Sequence, residues 1–184
     1  MAPLPDPLRL RILKAITAAL DEINPDDGYH NDLRPTPAPT ADNPAAIQRR
    51  NFRGRVVFGD TDPLPMTAVL EVPLPPDQYD SAPDNPNRHG PWELMIQGFV
   101  EDDFENPTDP AQYLLADVVK RLAQEIGNVY EDEGIFGFRC IQKLRLGVGV
   151  VRPPDEISAK AYFWLPMTLD LVEDLTKPYD EQDS

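Results

Sequence analysis

The chain has 184 residues, of which 41% are hydrophobic, 27% charged and 22 are proline, and its 32 acidic and 17 basic residues leave a formal net charge of −15. That length suits one domain with a core of its own, and the apolar share excludes wholesale disorder. So acidic a surface disfavours sequence-specific gripping of DNA or RNA, themselves dense lines of negative charge, but is compatible with DNA sliding past.

In chain order, the first expected element is a helix over about Pro7 to Ile23. Leu8, Ile12, Ile16, Leu20 and Ile23 recur at spacings of three and four and make one apolar stripe. Asp6 and Pro7 read as N-cap and first-turn residues, and Asn24-Pro25 ends the helix. Residues 1–20 carry too many charges for a signal-peptide core. Gly28 to Leu33 follow, then Pro35-Thr36-Pro37-Ala38-Pro39-Thr40, which suits an extended loop.

Alternation predicts strands over 52–58 (Phe52, Val56 and Phe58 inward), 66–72 (Met66, Ala68, Leu70, Val72) and 92–100 (Trp92, Leu94, Ile96, Val100). A second proline-rich loop separates the last two, from Pro73 to Pro91. A helix is expected over about Asp109 to Ile126. Asp109, Pro110 and Gln112 serve as its start signals, and Ala111, Leu114, Leu115, Val118, Leu122 and Ile126 as its buried stripe. Strands over 142–151 (Leu144, Leu146, Val148, Val150 inward) and from Ala159 to Leu171 complete the chain. Pro166 in the last cannot donate a ladder hydrogen bond, which predicts a bend, bulge or edge there.

The order of helix, three strands, helix, two strands is not a strict βαβ alternation. It predicts an α+β domain over 1–184: a mostly antiparallel, mixed sheet of about five strands, covered on one face by two helices. Long loop inserts fall at 34–48 and 73–91, and an acidic tail at 173–184.

Catalytic signals are weak. His30 and His89 are the only histidines, and Ser158-Ala159-Lys160 lacks the spacing of a Ser-x-x-Lys motif. Asp26, Asp27, His30 and Asp32 do not follow a calcium-loop pattern, and Gly147-Val148-Gly149 lacks the third glycine of a phosphate loop. Cys140, the single cysteine, excludes an intrachain disulfide, reads as a small core residue and points to a reducing compartment. No apolar run reaches the roughly 20 residues of a bilayer span, so the expectation is no membrane and a chain that is soluble when made.

Two charged clusters point to protein contacts. Arg49, Arg50, Arg53 and Arg55 form a basic group, and Glu101-Asp102-Asp103-Phe104-Glu105 an acidic run around an aromatic of the kind enriched in interfaces. A solvated face is the alternative for each. A head-to-tail contact between copies would use both.

Several segments together resemble the tail terminator (tail completion) proteins of long-tailed bacteriophages. They are the first helix with Gly28-Tyr29-His30-Asn31-Asp32-Leu33, then Phe52-Arg53-Gly54-Arg55, Gln97 to Asp103 leading into Asn106-Pro107-Thr108-Asp109-Pro110, and Val150 to Glu156 before Tyr162-Phe163-Trp164-Leu165-Pro166. The resemblance covers most of the chain. It implies a virion protein, assembled in the host cytoplasm, whose copies form a hexameric ring on the head-proximal end of the tail tube. Such a ring ends tube polymerisation, docks the neck or head–tail connector protein, and lets DNA pass through its lumen without specific binding. It implies no catalytic residue, cofactor or metal. The expected contacts with other subunits or the tube are the basic group, Asp102, Asp103, Phe104 and Glu105, and the turn holding Arg152 and Asp155. A neck or connector protein on the head side, an acidic metal-dependent hydrolase and a chaperone-like binding module are the competing readings.

Overall fold

The structure, a computed structural model, describes residues 4–37, 46–59, 61–73 and 85–179. Residues 38–45 of the 34–48 insert, 74–84 of the 73–91 insert and 180–184 of the acidic tail lie outside these.

The fold is α+β. Two helices, α1 (Leu8–Leu20) and α2 (Asp109–Glu125), pack on one face of a six-stranded mixed sheet. A two-stranded ribbon, β1 (Thr36–Pro37) with β2 (Ile47–Gln48), stands apart. The sheet comprises β3 (Asn51–Arg53), β4 (Met66–Glu71), β5 (Asn87–Val100), β6 (Ile141–Leu146), β7 (Val150–Arg152) and β8 (Ala161–Asp174). Its order is β3-β4-β5-β8-β6, with β7 on the same side of β8 as β6. Only β3 against β4 is parallel. The long β5–β8 ladder, from Asn87↔Asp174 to Val100↔Ala161, is the spine.

Both helices bury the stripes that their spacing predicts. Leu8, Ile12, Ile16, Leu20 and Ile23 from the first segment meet Ala111, Leu114, Val118 and Leu122 from the second in one core. They lie over Trp92, Leu94 and Ile96 of β5 and Phe163, Leu165, Met167, Leu169 and Leu171 of β8. The expected caps differ. Asp6 pairs with Lys14, while the α1 N-terminus is closed from the far end of the chain, Leu8 N donating to Pro178 O at 2.8 Å. Thr108, not Asp109, occupies the N-cap of α2. Ile126 lies past the helix end, 43% exposed.

Three strand expectations are corrected. The segment 52–58 leaves the sheet after Arg53, and Val56 and Val57 are exposed. On β4, Val69 faces the helices, whereas Met66, Ala68 and Leu70 align with Phe99, Gln97 and Met95 on the opposite face. The segment 142–151 is broken at 147–149, which makes six strands in place of five. Beyond the break Val151, not Val150, packs on the core, and Val148 is exposed. Pro166 explains the break: Gly147 N donates to Pro166 O at 2.8 Å, so the ring nitrogen, which has no hydrogen, faces the same side, where the neighbour is interrupted. β8 itself continues unbroken through Pro166. Gly149 sits against α2, where a Cβ would lie 2.6 Å from Leu115 Cδ2.

The proline-rich loop ends earlier than expected, since residues 87–91, His89 among them, extend β5. Likewise Glu173 and Asp174 close β8 and do not begin a tail.

Polar pins tie the irregular segments to this frame. Asp117 on α2 is buried and accepts His30 N at 3.0 Å and Asn31 N and Nδ2 at 2.8 Å each. Asp117→Ala strands two backbone donors, and the expected loss is about 1–3 kcal/mol. A thermal melt reads the loss, and faster amide exchange at His30 and Asn31 localises it. The short strand β3 is held by buried Asn51, which donates to Asp21 at 2.6 Å and to Leu33 O at 3.1 Å and accepts Thr67 Oγ1 at 2.6 Å. Burial raises the Asp21 carboxyl above its ordinary range despite Asn51, Arg49 and Arg53.

Candidate subunit interface

The helices cover one face of the sheet, and loops cover only part of the other. There, the arm after β3 and the arm before β8 stand over the ends of β5 and β8. Between them lies a groove of about 440 Å³. Its floor is Gln97, Phe99, Tyr162 and Trp164, and its walls are Val56 to Phe58 on one side and Ile157 on the other. Phe58 packs on Phe99 with ring centroids 4.6 Å apart, and Tyr162 meets Trp164 edge-on at 5.3 Å. The upper walls stay apolar and open: Val56 is 66%, Val57 76% and Ile157 70% exposed.

Each arm has an internal clamp. Arg55 bonds both Asp62 oxygens at 2.6 Å and lies 4.5 Å over the Phe52 ring and 5.1 Å over that of Phe58. Asp62 also accepts Gly59 N at 2.7 Å. On the other arm, Asp155 accepts Ile157 N at 2.8 Å and the hydroxyl of buried Tyr162 at 2.8 Å. The Ile157 amide, followed by the Tyr162 hydroxyl, holds the Asp155 carboxyl below its usual range. Arg152, opposite Tyr162 across the β7–β8 ladder, reaches Asp155 at 3.6 Å with half its side chain exposed.

The acidic run 101–105 leaves β5 and carries the chain to the helix side. Glu101 pairs with Lys160 at 2.5 Å. Asp103 folds the loop by accepting Glu105 N at 2.9 Å and Asn106 N at 2.7 Å. Phe104 projects from it, 97% exposed. Asp103 and Glu105 border a shallow hollow with His30 and Tyr113, whose rings stack at 4.2 Å.

Members of the basic group also bond within the chain. Arg50 donates to Leu64 O at 2.6 Å and Arg53 to Thr17 Oγ1 at 2.6 Å, Arg55 holds its own arm, and Arg49 is exposed. The groove was not among the sequence-based candidates. Its signals were the adjacent Val56-Val57, which breaks alternation, and Tyr162 and Trp164 on the strand face opposite the core set.

Other polar clusters serve the fold. Asp26 and Asp32 both grip Arg34, at 2.9 and 2.6 Å, and Asp27 accepts Asn24 Nδ2 at 2.6 Å. A cavity of about 680 Å³ beside the C-terminal half of α1 is braced by Arg121, which bonds Glu125 at 2.7 Å and Glu22 at 2.8 Å. Cys140 is buried in the core. Among the described residues no group of three or more His, Cys, Asp or Glu is placed to hold a metal ion, and no helix is long and apolar enough to cross a membrane.

No protein-family model matches the chain, and neither does any curated protein. The geometry therefore stands on its own. It offers an apolar groove on an uncovered sheet face, an aromatic knob on an acidic loop, and charged side chains around both.

Proposed function

We propose that the chain is a ring-forming structural subunit of the tail-terminator type. Its ring would cap the head-proximal end of a phage tail tube, end polymerisation and dock the neck or connector protein, with DNA passing through an acidic lumen. One observation carries the assembly part of this reading: apolar surface remains on the uncovered sheet face and at Phe104 although the chain has a full core beneath its helices. Exposed apolar groups gathered round a groove mark places where another protein sits. The tail-terminator part is supported by the sequence resemblance. The charge of −15 per copy suits a lumen that must not hold DNA.

Reversing Asp102 and Asp103 to lysine is expected to impair ring formation or tail joining. Asp103 also folds its own loop, so Asp102→Lys alone is the cleaner variant. Electron microscopy of tails from the mutant phage, with a plaque assay, reads the outcome, and wild-type tails with full infectivity would remove the acidic loop from the contact. Mass spectrometry of purified virions tests the reading as a whole: a terminator stays with headless tails, and its absence from every particle would end the proposal.

A further inference from the structure

From the charges that the fold leaves unneutralised we infer that the basic edge at β3 receives the 130–133 loop of a second copy of this chain. The inference rests on the ring-subunit reading and deepens it by naming the two surfaces that meet.

The basic surface lies on one edge of the sheet. β3 ends the strand order, with β4 as its one ladder neighbour among the described residues. Arg49, just before the strand, and Arg53, its last residue, are exposed, and Arg50 is half-buried. The hydrogen bonds here go to neutral oxygens: Arg50 to the Leu64 and Pro65 carbonyls, Arg53 to Thr17 Oγ1. Among the described residues none of the three has a carboxylate at ion-pair distance. Asp21 lies near enough to sense Arg49 and Arg53, and Asp32, already bound by Arg34, to sense Arg50. With Asp26, which also grips Arg34, these carboxylates are still one fewer than the arginines. The edge therefore keeps a positive surplus in a chain of net charge −15.

The 130–133 loop has the opposite surplus. Glu131, Asp132 and Glu133 are consecutive and exposed, and among the described residues none of their carboxylates is ion-paired. They rim the cavity of about 680 Å³ beside α1, where Glu22 and Glu125 share Arg121. Arg139 donates to the Asp132 main-chain oxygen at 2.5 Å, so carboxylates remain in excess. Tyr130, at the head of the loop, is 92% exposed. A guanidinium group both pairs with carboxylates and stacks on an open aromatic face, and this loop presents both. The 101–105 run suits the edge less well, because Glu101 pairs with Lys160 and Asp103 folds its own loop.

Placement lets one copy use both surfaces. α1 turns Thr17 and Asp21 toward β3, where Arg53 and Asn51 bond them. It turns Ala15, Ala18 and Glu22 toward the cavity that the acidic loop rims. These sets occupy separate flanks of the helix, which holds the two charged surfaces of one subunit apart. A pair joined edge to loop leaves one edge and one loop unused, so copies add in one direction until the rotation closes a ring.

Charge reversal tests the contact. Arg49→Glu with Arg53→Glu inverts the edge, and Glu131→Lys with Glu133→Lys inverts the loop; all four side chains are exposed. Circular dichroism and thermal melts verify folding, and native mass spectrometry with sedimentation velocity reads assembly. Each variant alone is expected to associate at least about tenfold more weakly than wild type. Their equal mixture should assemble again with the two variants alternating, and so should one chain carrying all four reversals. Wild-type association should weaken between about 0.1 M and about 1 M salt, as the screening length falls from about 10 to about 3 Å. If wild type forms rings and both variants do so equally well, the contact is overturned while the ring reading stands. It is likewise overturned if neither the mixture nor the fourfold variant regains association. Recovery of the arginine variant by Asp102→Lys with Glu105→Lys, and not by the 131 and 133 reversals, would overturn it in favour of the 101–105 run. An arginine variant that forms rings but no longer binds tail tubes would overturn it in favour of the tube protein. Wild type that stays monomeric both alone and with tail tubes would overturn the ring reading and this contact together.

Discussion

Gly98→Ala is expected to lower folding stability by about 2–3 kcal/mol, although it adds one methyl group. Gly98 lies on the helix-facing side of β5, directly opposite Phe163 of β8. A Cβ there would come within 2.0 Å of Phe163 Cε1, 2.6 Å of Cζ and 2.8 Å of Cδ1. Real Cβ contacts do not fall below 3.0 Å, so something must shift. Phe163 is fully buried among helix side chains and has little room to turn. Gly98 is laddered to β4 through Thr67 and to β8 through Phe163, so the backbone is held on both sides. A melt should show Tm falling by about 4–12 °C for a chain of this size. Combining the variant with Phe163→Leu, which vacates the ring's space, should cost less than the two changes summed, with a coupling of about 1 kcal/mol or more. A wild-type melt for Gly98→Ala would show that Phe163 does not sit over this position.

Glu173 carries the second large effect. Near the end of β8, its carboxylate is buried between two arginines: Arg9 from α1 bonds it at 2.8 and 2.9 Å, and Arg88 from β5 bonds it as well. Arg9 also lies 4.8 Å over the Trp92 ring. One side chain thereby ties together the first helix and the two longest strands. Glu173→Leu leaves both guanidinium groups without their shared partner. Fully buried pairs lose about 3–5 kcal/mol when one partner is removed. Because Arg9 and Arg88 are themselves a quarter to a third exposed, the expected loss here is smaller, about 2 kcal/mol.

The pH dependence follows with a definite sign. Burial opposes ionisation of Glu173, but hydrogen bonds and charge from Arg9 and Arg88 more than offset it and hold the carboxyl below its ordinary 4.5. A group depressed in the folded state binds protons more readily when unfolded. Its contribution is therefore full above the ordinary value and is lost as pH falls through the folded one. Asp32, Asp62, Asp155 and Asp174 are depressed too and act in the same direction. Chemical denaturation at stepped pH should show stability falling below about pH 4.5, with a shallower fall in Glu173→Leu. Parallel curves for the two proteins would remove the arginine clamp as the cause.

How much of this was legible in the chain depended on the range of the interaction. Both helical stripes, the inward set of β5 from Trp92 to Val100 and that of β8 from Ala159 to Leu171 were readable from spacing alone, and all but Leu115, Ile126 and Ala159, which precedes the strand, are buried. The α+β class followed from element order. Alternation failed at β4, where Met66, Thr67, Ala68 and Val69 are all buried because loops cover part of the second face. It failed again at Val148 and Val150, since Pro166 lies in another strand and interrupts its neighbour from a distance. Of the candidate contact residues, Arg49, Arg53, Asp102, Asp103, Phe104, Glu105, Arg152 and Asp155 stand exposed, and Arg50, Arg53, Arg55, Asp103 and Asp155 also bond within their own chain.

Local spacing alone was enough for the two helices and for the inward faces of β5 and β8, because backbone periodicity is a property of a few consecutive residues. Long-range packing settled which apolar set met the helices, which charges were neutralised within the chain, and that Val56, Val57, Ile157 and Trp164 would surround one groove. Those outcomes depend on partners tens to more than a hundred residues apart, and no local pattern encodes such distances.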